Sequence, residues 1–160
     1  MKVYFAADHA GFNLKNALVQ HVRTLGYEAV DLGARELDPQ DDYPDHALML
    51  ARAVANDEGS RGILACGTGE GEAMAANRIN GIRASVFYGP RRATEALNIE
   101  GEHSKDGFDI VRLARRHNNA NILALGARFV SGTEADEAVR IFLETPFSDS
   151  PRHARRLAKF

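Results

Sequence analysis

Hydrophobic residues recur along the chain with two different spacings, and the changes between them predict strands that alternate with helices. Lys2 to Ala7 is a short, mostly apolar run that predicts a first strand. Apolar residues then return every three or four positions up to Gly26, which predicts a helix; they are Leu14, Leu18, Val22 and Leu25. Tyr27 to Leu32 predicts a second strand. Strands that alternate with helices are typical of a parallel sheet covered by helices.

The alternation continues to the end of the chain. A polar loop is predicted over Gly33 to Pro44, and further strands over Gly62 to Cys66, Ile82 to Phe87 and Asn121 to Leu125. The other helices are predicted around Ala47 to Val54, from Ala73 to Ile79, from Pro90 onward, again from about Val111, and from an N-cap at Thr133 to Pro146. Polar residues from Asn98 to Asp109 are interpreted as a surface loop within a longer helical region. The pattern predicts one α/β domain with about five strands.

Composition narrows the class of protein. A chain of 160 residues fits one domain, and 44% hydrophobic with 26% charged residues is ordinary for a globular protein. A net charge of −2 argues against broad electrostatic binding to nucleic acid or to an anionic membrane. The chain has a single cysteine, lacks an apolar run long enough to span a membrane, and begins directly with a predicted strand. These features predict a cytoplasmic location.

Polar residues follow three of the predicted strands directly. Asp8 and His9 follow the first strand, the segment 66–71 ends the third, and Arg128 follows the fifth. Ligands of open parallel sheets bind beyond the carboxyl ends of the strands. We therefore expect these residues to lie at the functional edge of the sheet.

The segment Cys66-Gly67-Thr68-Gly69-Glu70-Gly71 is the most informative of the three. Glycines between a strand and a helix leave backbone N–H groups free to point at an anion, which predicts an anion-binding loop. The segment is not a dinucleotide fingerprint, because the third glycine would fall at Glu72, and no Lys-Ser/Thr follows as in a Walker loop. The alternative is a tight turn that only needs the conformational freedom of glycine.

Several side chains have both a structural and a chemical interpretation. Cys66 is either a small buried hydrophobe or a thiolate favoured by a helix N-terminus. Asp8 either caps the first helix or lies near sugar hydroxyls, with His9 at a phosphate. His117 either belongs to a turn or exchanges protons near neutral pH.

Two further segments are rich in charged residues. Arg152, Arg155 and Arg156 fall on one side of a short predicted helix, as either a solvated face or a phosphate clamp. His103, Asp106 and Asp109 have a spacing that is unspecific for a metal, so no metal site is predicted there.

Taken in order, these segments resemble the ribose-5-phosphate isomerase B / galactose-6-phosphate isomerase family over nearly the whole chain. The matching stretches are Asp8-His9-Ala10-Gly11-Phe12, Asp42-Tyr43-Pro44-Asp45, Cys66-Gly67-Thr68-Gly69 with Ala75-Ala76-Asn77, Gly81-Ile82-Arg83-Ala84, His117-Asn118 with Ala120-Asn121, Leu125-Gly126-Ala127-Arg128 and Arg152-His153-Ala154-Arg155-Arg156. The resemblance implies a Rossmann-like, three-layer α/β/α sandwich with a five-stranded parallel sheet. It also implies a homodimer, or a dimer of dimers, whose active sites take residues from both subunits.

The resemblance implies an enzyme that interconverts a phosphorylated aldose and its ketose in pentose phosphate metabolism, with ribose 5-phosphate as the leading substrate. A Cys66 thiolate is then the base that forms a cis-enediolate, Thr68 with the N–H groups at Gly67, Gly69 and Gly71 stabilises the oxyanion, and His117 opens the sugar ring. Asp8, Tyr43 and Asn118 match sugar-holding positions. His9, Arg128, Arg152 and Arg156 match phosphate-binding positions. No metal and no organic cofactor is implied.

The chain departs from the family pattern at three places. Glu72 stands where members without the cysteine carry a glutamate base, so the chain has two candidate bases, and Glu70 adds a charge that we expect to point away from Cys66. The stretch around 95–109 is longer than usual and leaves open a tetrose or hexose phosphate as substrate. Ser150-Pro151 replaces a glycine pair before Arg152. A non-catalytic sugar-phosphate sensor and a flavodoxin-like signalling domain remain the alternatives of other classes.

Overall fold

The computed structural model describes residues 1–148 and 150–159 and contains a five-stranded parallel sheet between two layers of helices. The strands are β1 (Lys2–Ala7), β2 (Glu28–Asp31), β3 (Arg61–Cys66), β4 (Ala84–Phe87) and β5 (Ile122–Gly126), in the order β2-β1-β3-β5-β4. The helices are α1 (Phe12–Thr24), α2 (Tyr43–Ala55), α3 (Glu70–Ala76), α4 (Asp109–Asn118), α5 (Gly132–Glu144) and α6 (Pro151–Leu157). The predicted α/β/α architecture is confirmed.

Each face of the sheet packs against its own layer of helices. Alternate residues of the central strands, such as Phe5 and Ile63, pack with α1, α4 and α5. Their neighbours Ala6 and Leu64 point to the other face and pack with α2 and α3. Central strands buried on both faces must be apolar at nearly every position, which explains the continuous apolar runs in the sequence.

All five strands run in the same direction, so the sheet has one carboxyl edge and one amino edge. Ala7 pairs with Ala65, and Cys66 pairs with Gly126. The residues after β1, β3 and β5 therefore leave the sheet side by side at the carboxyl edge. Gly11 shows how closely they pack, because a Cβ atom there would lie 2.0 Å from the Ala65 carbonyl oxygen.

The helix predicted from Pro90 onward is wrong. Residues 88–108, which we call the long loop, contain no helix or strand. Pro90 packs so tightly against Gly107 that a Cβ atom there would lie 2.4 Å from the proline Cβ, and Arg91 N–H donates to the Gly107 carbonyl at 2.9 Å. The loop thus folds back on itself, and this closure overrides the local preference for helix.

The N-cap predicted at Thr133 is also wrong. Helix α5 begins two residues earlier than a cap at Thr133 allows, and Ser131 is its N-cap. The Glu134 N–H donates to the Ser131 hydroxyl, while the Glu134 carboxylate accepts from the Ser131 N–H at 2.8 Å. This reciprocal arrangement is a capping box.

The other differences concern element ends. Helix α2 starts at Tyr43, so Pro44 lies in its first turn, where a missing N–H costs nothing. Helix α3 ends at Ala76 rather than Ile79, and β4 starts at Ala84. The predicted basic helix 151–160 is observed over Pro151–Leu157, and Phe160 lies outside the described residues. Within the described ranges, no helix combines the length and the apolar character that crossing a membrane requires.

Candidate active site

The carboxyl edge of the sheet gathers most of the predicted site residues. Asp8 and His9 follow β1, the glycine loop 66–71 joins β3 to α3, and Arg128 follows β5. Tyr43, the first residue of α2, reaches over this edge from the next layer. The side chains that share this edge form what we call the Cys66 cluster: Asp8, His9, Tyr43, Cys66, Thr68, Glu72 and Arg128.

Three buried groups form the centre of the Cys66 cluster. The Cys66 thiol donates to Asp8 Oδ2 at 2.9 Å, and Asp8 Oδ1 accepts from the Gly11 N–H at 3.0 Å. Glu72 has no exposed surface, and neither of its carboxyl oxygens has a hydrogen-bond partner among the described residues. One ligand atom each of Asp8, Cys66 and Glu72 lies within 4.8 Å of the others. These three groups could hold a metal ion by geometry, and the absence of a metal stays a prediction.

Burial and mutual repulsion favour the neutral forms of two of these three groups, Cys66 and Glu72. Burial, the hydrogen bond to Asp8 and the nearby charge of Glu72 raise the pKa of the Cys66 thiol to about 12. Burial, followed by the charge of Asp8, raises the pKa of Glu72 well above its ordinary value. Both shifts favour the protonated form of the candidate base concerned. They differ in one respect: the Cys66 proton already faces an acceptor, whereas the Glu72 proton faces none.

Glycine is required in the loop because other side chains cover it closely. A Cβ atom at Gly71 would lie 2.7 Å from the Tyr43 ring, and one at Gly67 would lie 3.2 Å from the Arg128 guanidinium carbon. Gly69 has φ +78°, in the left-handed region that favours glycine. A phenol and a guanidinium thus lie directly against the loop that carries the thiol, as recognition of a hydroxylated anion requires.

The other two side chains of the glycine loop, Thr68 and Glu70, do not point toward the Cys66 thiol. Thr68 is exposed, and its hydroxyl accepts from the Glu70 N–H at 3.3 Å. Glu70 lines a cleft beside β4 together with Val86 and Arg91, and it is not among the groups that raise the Cys66 pKa. This placement agrees with the expectation that Glu70 points away from the thiol.

His9 lies in a hydrogen-bond chain that sequence reasoning missed. Its Nδ1 lies 2.7 Å from Asp41 Oδ1, and the second Asp41 oxygen lies 2.9 Å from His46 Nε2. Asp41 directly precedes the family-like stretch that starts at Asp42, so its position was visible in the sequence, but its partner could be identified only from the fold.

Three other predicted site residues, His117, Arg152 and Arg156, form a second group together with His153, which we call the His117 cluster. The rings of His117 and His153 are 4.2 Å apart between centroids. A cavity of about 480 Å³ is lined by His117, Arg152 and Arg156 together with residues 96–100 of the long loop. Burial and the positive charges around it, those of His153 and the arginines, lower the pKa of His117. Asn118 ends α4 and is exposed.

The two clusters lie at opposite edges of the sheet. His117 precedes β5, whose first residue Ile122 pairs with Gly62, whereas Cys66 pairs with the last residue of β5. The four steps from Gly62 to Cys66 span about 13 Å at about 3.3 Å per residue. One chain therefore does not bring His117 to its own Cys66.

Asp106 and Asp109, two of the three residues with a spacing unspecific for a metal, pair with other protein groups. Arg112 bonds both oxygens of Asp106, at 2.6 and 2.8 Å, and also contacts Asp109 at 3.1 Å. Ser104 donates to the other Asp109 oxygen at 2.5 Å. These contacts fasten the long loop to α4.

Comparison with known proteins gives consistent matches over the whole chain. The sequence model of the family described as ribose/galactose isomerase matches residues 3–101 and 107–160. The ribose-5-phosphate isomerase B of Mycobacterium tuberculosis is 36% identical over 157 residues, which cover 98% of this chain and 86% of that protein.

Solved structures of the same kind of protein are also similar. Ribose-5-phosphate isomerase B from Mycoplasma genitalium, solved with bound ribulose-5-phosphate, has a TM-score of 0.84 at 36% identity and covers 99% of this chain and 92% of its own. The enzyme from Clostridium thermocellum has a TM-score of 0.84 at 38% identity and covers 99% and 94%.

Proposed function

Because the chain belongs to the ribose/galactose isomerase family, we propose that it is an aldose–ketose isomerase that interconverts ribose 5-phosphate and ribulose 5-phosphate. The observation that carries the proposal is the Cys66 thiol, hydrogen-bonded to Asp8 within a glycine loop that Tyr43 and Arg128 cover. Relatives that cover nearly the whole chain bear the name of this enzyme, and one of them holds the ketose product.

The reaction moves one proton between adjacent carbons. Cys66 first transfers its proton to Asp8 Oδ2, which already accepts it in a hydrogen bond at 2.9 Å. The thiolate then removes the proton from C2 of the open-chain aldose; the C–H electron pair forms the C1–C2 double bond, and the carbonyl electrons move to O1. A proton passes from O2 to O1 in the enediolate. The thiol returns its proton to C1, and O2 becomes the carbonyl oxygen of the ketose.

The glycine loop supplies the stabilisation that this step needs. In the proposed reaction, backbone N–H groups at Gly67, Gly69 and Gly71 and the exposed Thr68 hydroxyl stabilise the negative charge that develops on the sugar oxygens. Preorganised donors of this kind are each worth about 3 kcal/mol in the transition state. Asp8 and Tyr43 hold the sugar hydroxyls. Glu72 remains the rival base, and we assign the proton transfer to Cys66 because only its proton has an acceptor in place.

We propose that the complete active site combines two chains. His9 and Arg128 lie with Cys66 at the carboxyl edge of the sheet. The opposite edge carries His117, Asn118, Arg152 and Arg156. A homodimer, or a dimer of dimers, can place the His117 cluster of one chain over the Cys66 cluster of another. His117 then opens the furanose ring, and the arginines complete the phosphate site. A cytoplasmic location fits a chain whose single cysteine is a free thiol.

A second candidate substrate is a phosphorylated tetrose or hexose. The observation that favours it is the long loop, because the family model leaves residues 102–106 unmatched and residues 96–100 line the His117 cavity. A wall of different length changes the space for the sugar without changing the groups that carry out enolisation.

Turnover of the purified protein on phosphorylated tetroses, pentoses and hexoses, without added metal, tests the proposal. We expect conversion of ribose 5-phosphate with uptake of solvent deuterium at the carbon beside the carbonyl. Preference for another sugar keeps the mechanism and changes the substrate. Binding without turnover of any sugar phosphate would show a sensor instead of an enzyme.

A further inference from the structure

Asp41 links two histidines from different parts of the chain. His9 follows β1, and its Nδ1 lies 2.7 Å from Asp41 Oδ1; the same oxygen also accepts from the His9 backbone N–H at 3.2 Å. His46, on the first turns of α2, lies with its Nε2 2.9 Å from Asp41 Oδ2. Both Asp41 and His46 are largely buried, with side chains 11% and 15% exposed, whereas 37% of the His9 side chain remains exposed.

The charge of Asp41 fixes the hydrogen positions on both rings. Burial opposes ionisation of Asp41, but the hydrogen bonds from His9 and His46 outweigh it and lower its pKa. Asp41 is therefore a carboxylate, which only accepts hydrogen bonds. The ring nitrogens that face it must both carry hydrogen, at His9 Nδ1 and at His46 Nε2. His9 is left with its Nε2 directed away from Asp41, on the exposed part of its ring.

We propose that Asp41 and His46 are positioning residues that hold the His9 ring for the substrate phosphate. This inference rests on the proposed function, in which His9 contacts the phosphate. Asp41 fixes which nitrogen of His9 faces the substrate, and His46 holds the second carboxylate oxygen so that the carboxylate cannot rotate away. Partners of this kind behind a histidine set both ring orientation and proton position, and behind metal-binding histidines their loss typically costs about 10- to 100-fold in affinity.

Helix α2 connects the hydrogen bonds of Asp41 to the rest of the Cys66 cluster. His46 lies one turn from Tyr43, whose ring covers Gly71, and the next residue, Ala47, is buried under the sheet. Helix α2 is therefore anchored in the core and presents Tyr43 to the glycine loop and His46 to Asp41. The phosphate end and the sugar end of the Cys66 cluster are positioned by the same rigid element.

The test is a pair of substitutions at each positioning residue. Asp41→Leu removes the acceptor, and we expect KM for ribose 5-phosphate to rise about tenfold, at the lower end of the effect of removing a histidine's outer partner. Because the reacting carbons lie away from the phosphate, kcat should change much less. Asp41→Asn keeps an acceptor for His9 and should recover part of the loss. His46→Phe should weaken binding, while His46→Gln, which keeps an N–H donor, should restore it.

Nitrogen NMR of the His9 ring supplies a readout that does not depend on turnover. The ring signals are assigned with His9→Gln, and inorganic phosphate is the titrant. We expect Nδ1 to carry the proton in the unsubstituted protein, and we expect Asp41→Leu to redistribute it and to weaken phosphate binding in parallel with KM. Glu36→Leu, which removes an exposed acid from the same loop, is the matched control and should change neither quantity.

The outcomes separate the two proposals. An unchanged His9 proton position and unchanged phosphate affinity in Asp41→Leu would overturn the positioning role, whatever the enzyme turns over. A protein that shows the expected NMR changes but converts no sugar phosphate would retain the positioning role and lose the proposed reaction. A fall in kcat equal to the rise in KM would also count against positioning of the phosphate alone.

Discussion

The Cys66 cluster and the His117 cluster are opposites in charge and in burial. The centre of the first is buried and contains two carboxyl groups, Asp8 and Glu72; burial raises the pKa of Glu72, and it raises the pKa of Cys66 to about 12. The second is more exposed and basic, so burial and positive charge lower the pKa of His117. The His117 cluster concentrates basic groups, whereas the centre of the Cys66 cluster contains carboxyl groups. Facing one another across a pair of chains, they would complement each other.

The difference shows why neither cluster can work as an active site by itself. The Cys66 cluster has a potential base and an oxyanion loop but few cations for a phosphate. The His117 cluster has the cations and a proton-transfer group but no nucleophile or oxyanion loop. We call each cluster a half-site of the proposed active site. Substitutions can inactivate the two half-sites separately.

The largest effect is expected when either half-site loses its proton-transfer group. Cys66→Ala and His117→Ala should each lower kcat for ribose 5-phosphate by about 10³-fold, the usual range for a general acid or base. Equilibrium binding of inorganic phosphate should survive in Cys66→Ala, because the phosphate contacts are elsewhere. Steady-state kinetics and a phosphate titration check both points, and full activity of Cys66→Ala would transfer the base role to Glu72.

Mixing the two inactive variants tests whether the half-sites come from different chains. In a mixed dimer of Cys66→Ala with His117→Ala, one site carries both substitutions and the other carries neither. Random reassociation after co-unfolding should therefore restore about a quarter of the native sites. Recovery of activity on mixing is the measurement, and a mixture as inactive as its parents would contradict the shared site. The control is Cys66→Ala that is unfolded and refolded alone in the same way.

Glu72→Gln separates the two candidate bases. Burial raises the pKa of Glu72, and its carboxyl oxygens have no hydrogen-bond partner among the described residues, so its amide replacement should lower kcat by less than about tenfold if Cys66 is the base. A loss as large as that of Cys66→Ala would make Glu72 the base. Thermal unfolding of the same variant is the control, because an unpartnered buried carboxyl exchanged for an amide can also change stability.

A shortened long loop tests the substrate side of the His117 cluster. Replacing residues 98–106 by a short Gly-Ser linker removes part of the wall of the cavity that contains His117. We expect the ratio of kcat/KM for a hexose 6-phosphate over ribose 5-phosphate to rise by about tenfold, the size of effect that pocket space usually has on selectivity. An unchanged ratio would show that the loop does not border the substrate.

The smallest effect concerns the pH dependence of His117. Neighbouring cations disfavour the imidazolium, so removing one in Arg116→Gln should raise the pKa of His117 toward its ordinary value of 6.5. If ring opening needs neutral His117, activity should then be lost at a higher pH as the pH falls. NMR titration of the ring and the pH profile of kcat check the direction, and a shift to lower pH would contradict it.

Sequence patterns predicted the central strands well and the long loop badly. The run Gly62 to Cys66 was predicted as a buried strand, and β3 is buried at every position from Gly62 to Cys66. The helix expected at Pro90 failed because tertiary closure of Pro90 on Gly107 outweighs local preference, and no local pattern encodes that contact. The Ser131 cap could have been found, since Ser131 and Glu134 have the spacing of a capping box.

The site was predicted as a set of residues but not as a geometry. Residues that follow strands, such as Asp8 and Arg128, were placed correctly at the carboxyl edge by the rule for parallel sheets. That rule also implies that His117, which precedes β5, lies at the other edge, so the separation of the two clusters was implicit in the sequence. The link from Asp41 to His9 and His46 was not, because it depends on how a polar loop folds over the sheet.

The closure of the long loop has a consequence for how this protein can change. Its hydrogen bonds join Asn98 to Glu102 and Asp106 to Arg112, so residues 98–106 are fastened to one another and to α4, while Phe108 at the end of the loop stacks on Phe87 of β4. A segment fastened in this way can be lengthened, shortened or replaced without repacking the core. The residues that carry out the reaction and the residues that select the substrate then lie in separate stretches of the chain. Protein engineering can alter substrate choice while the catalytic residues stay unchanged.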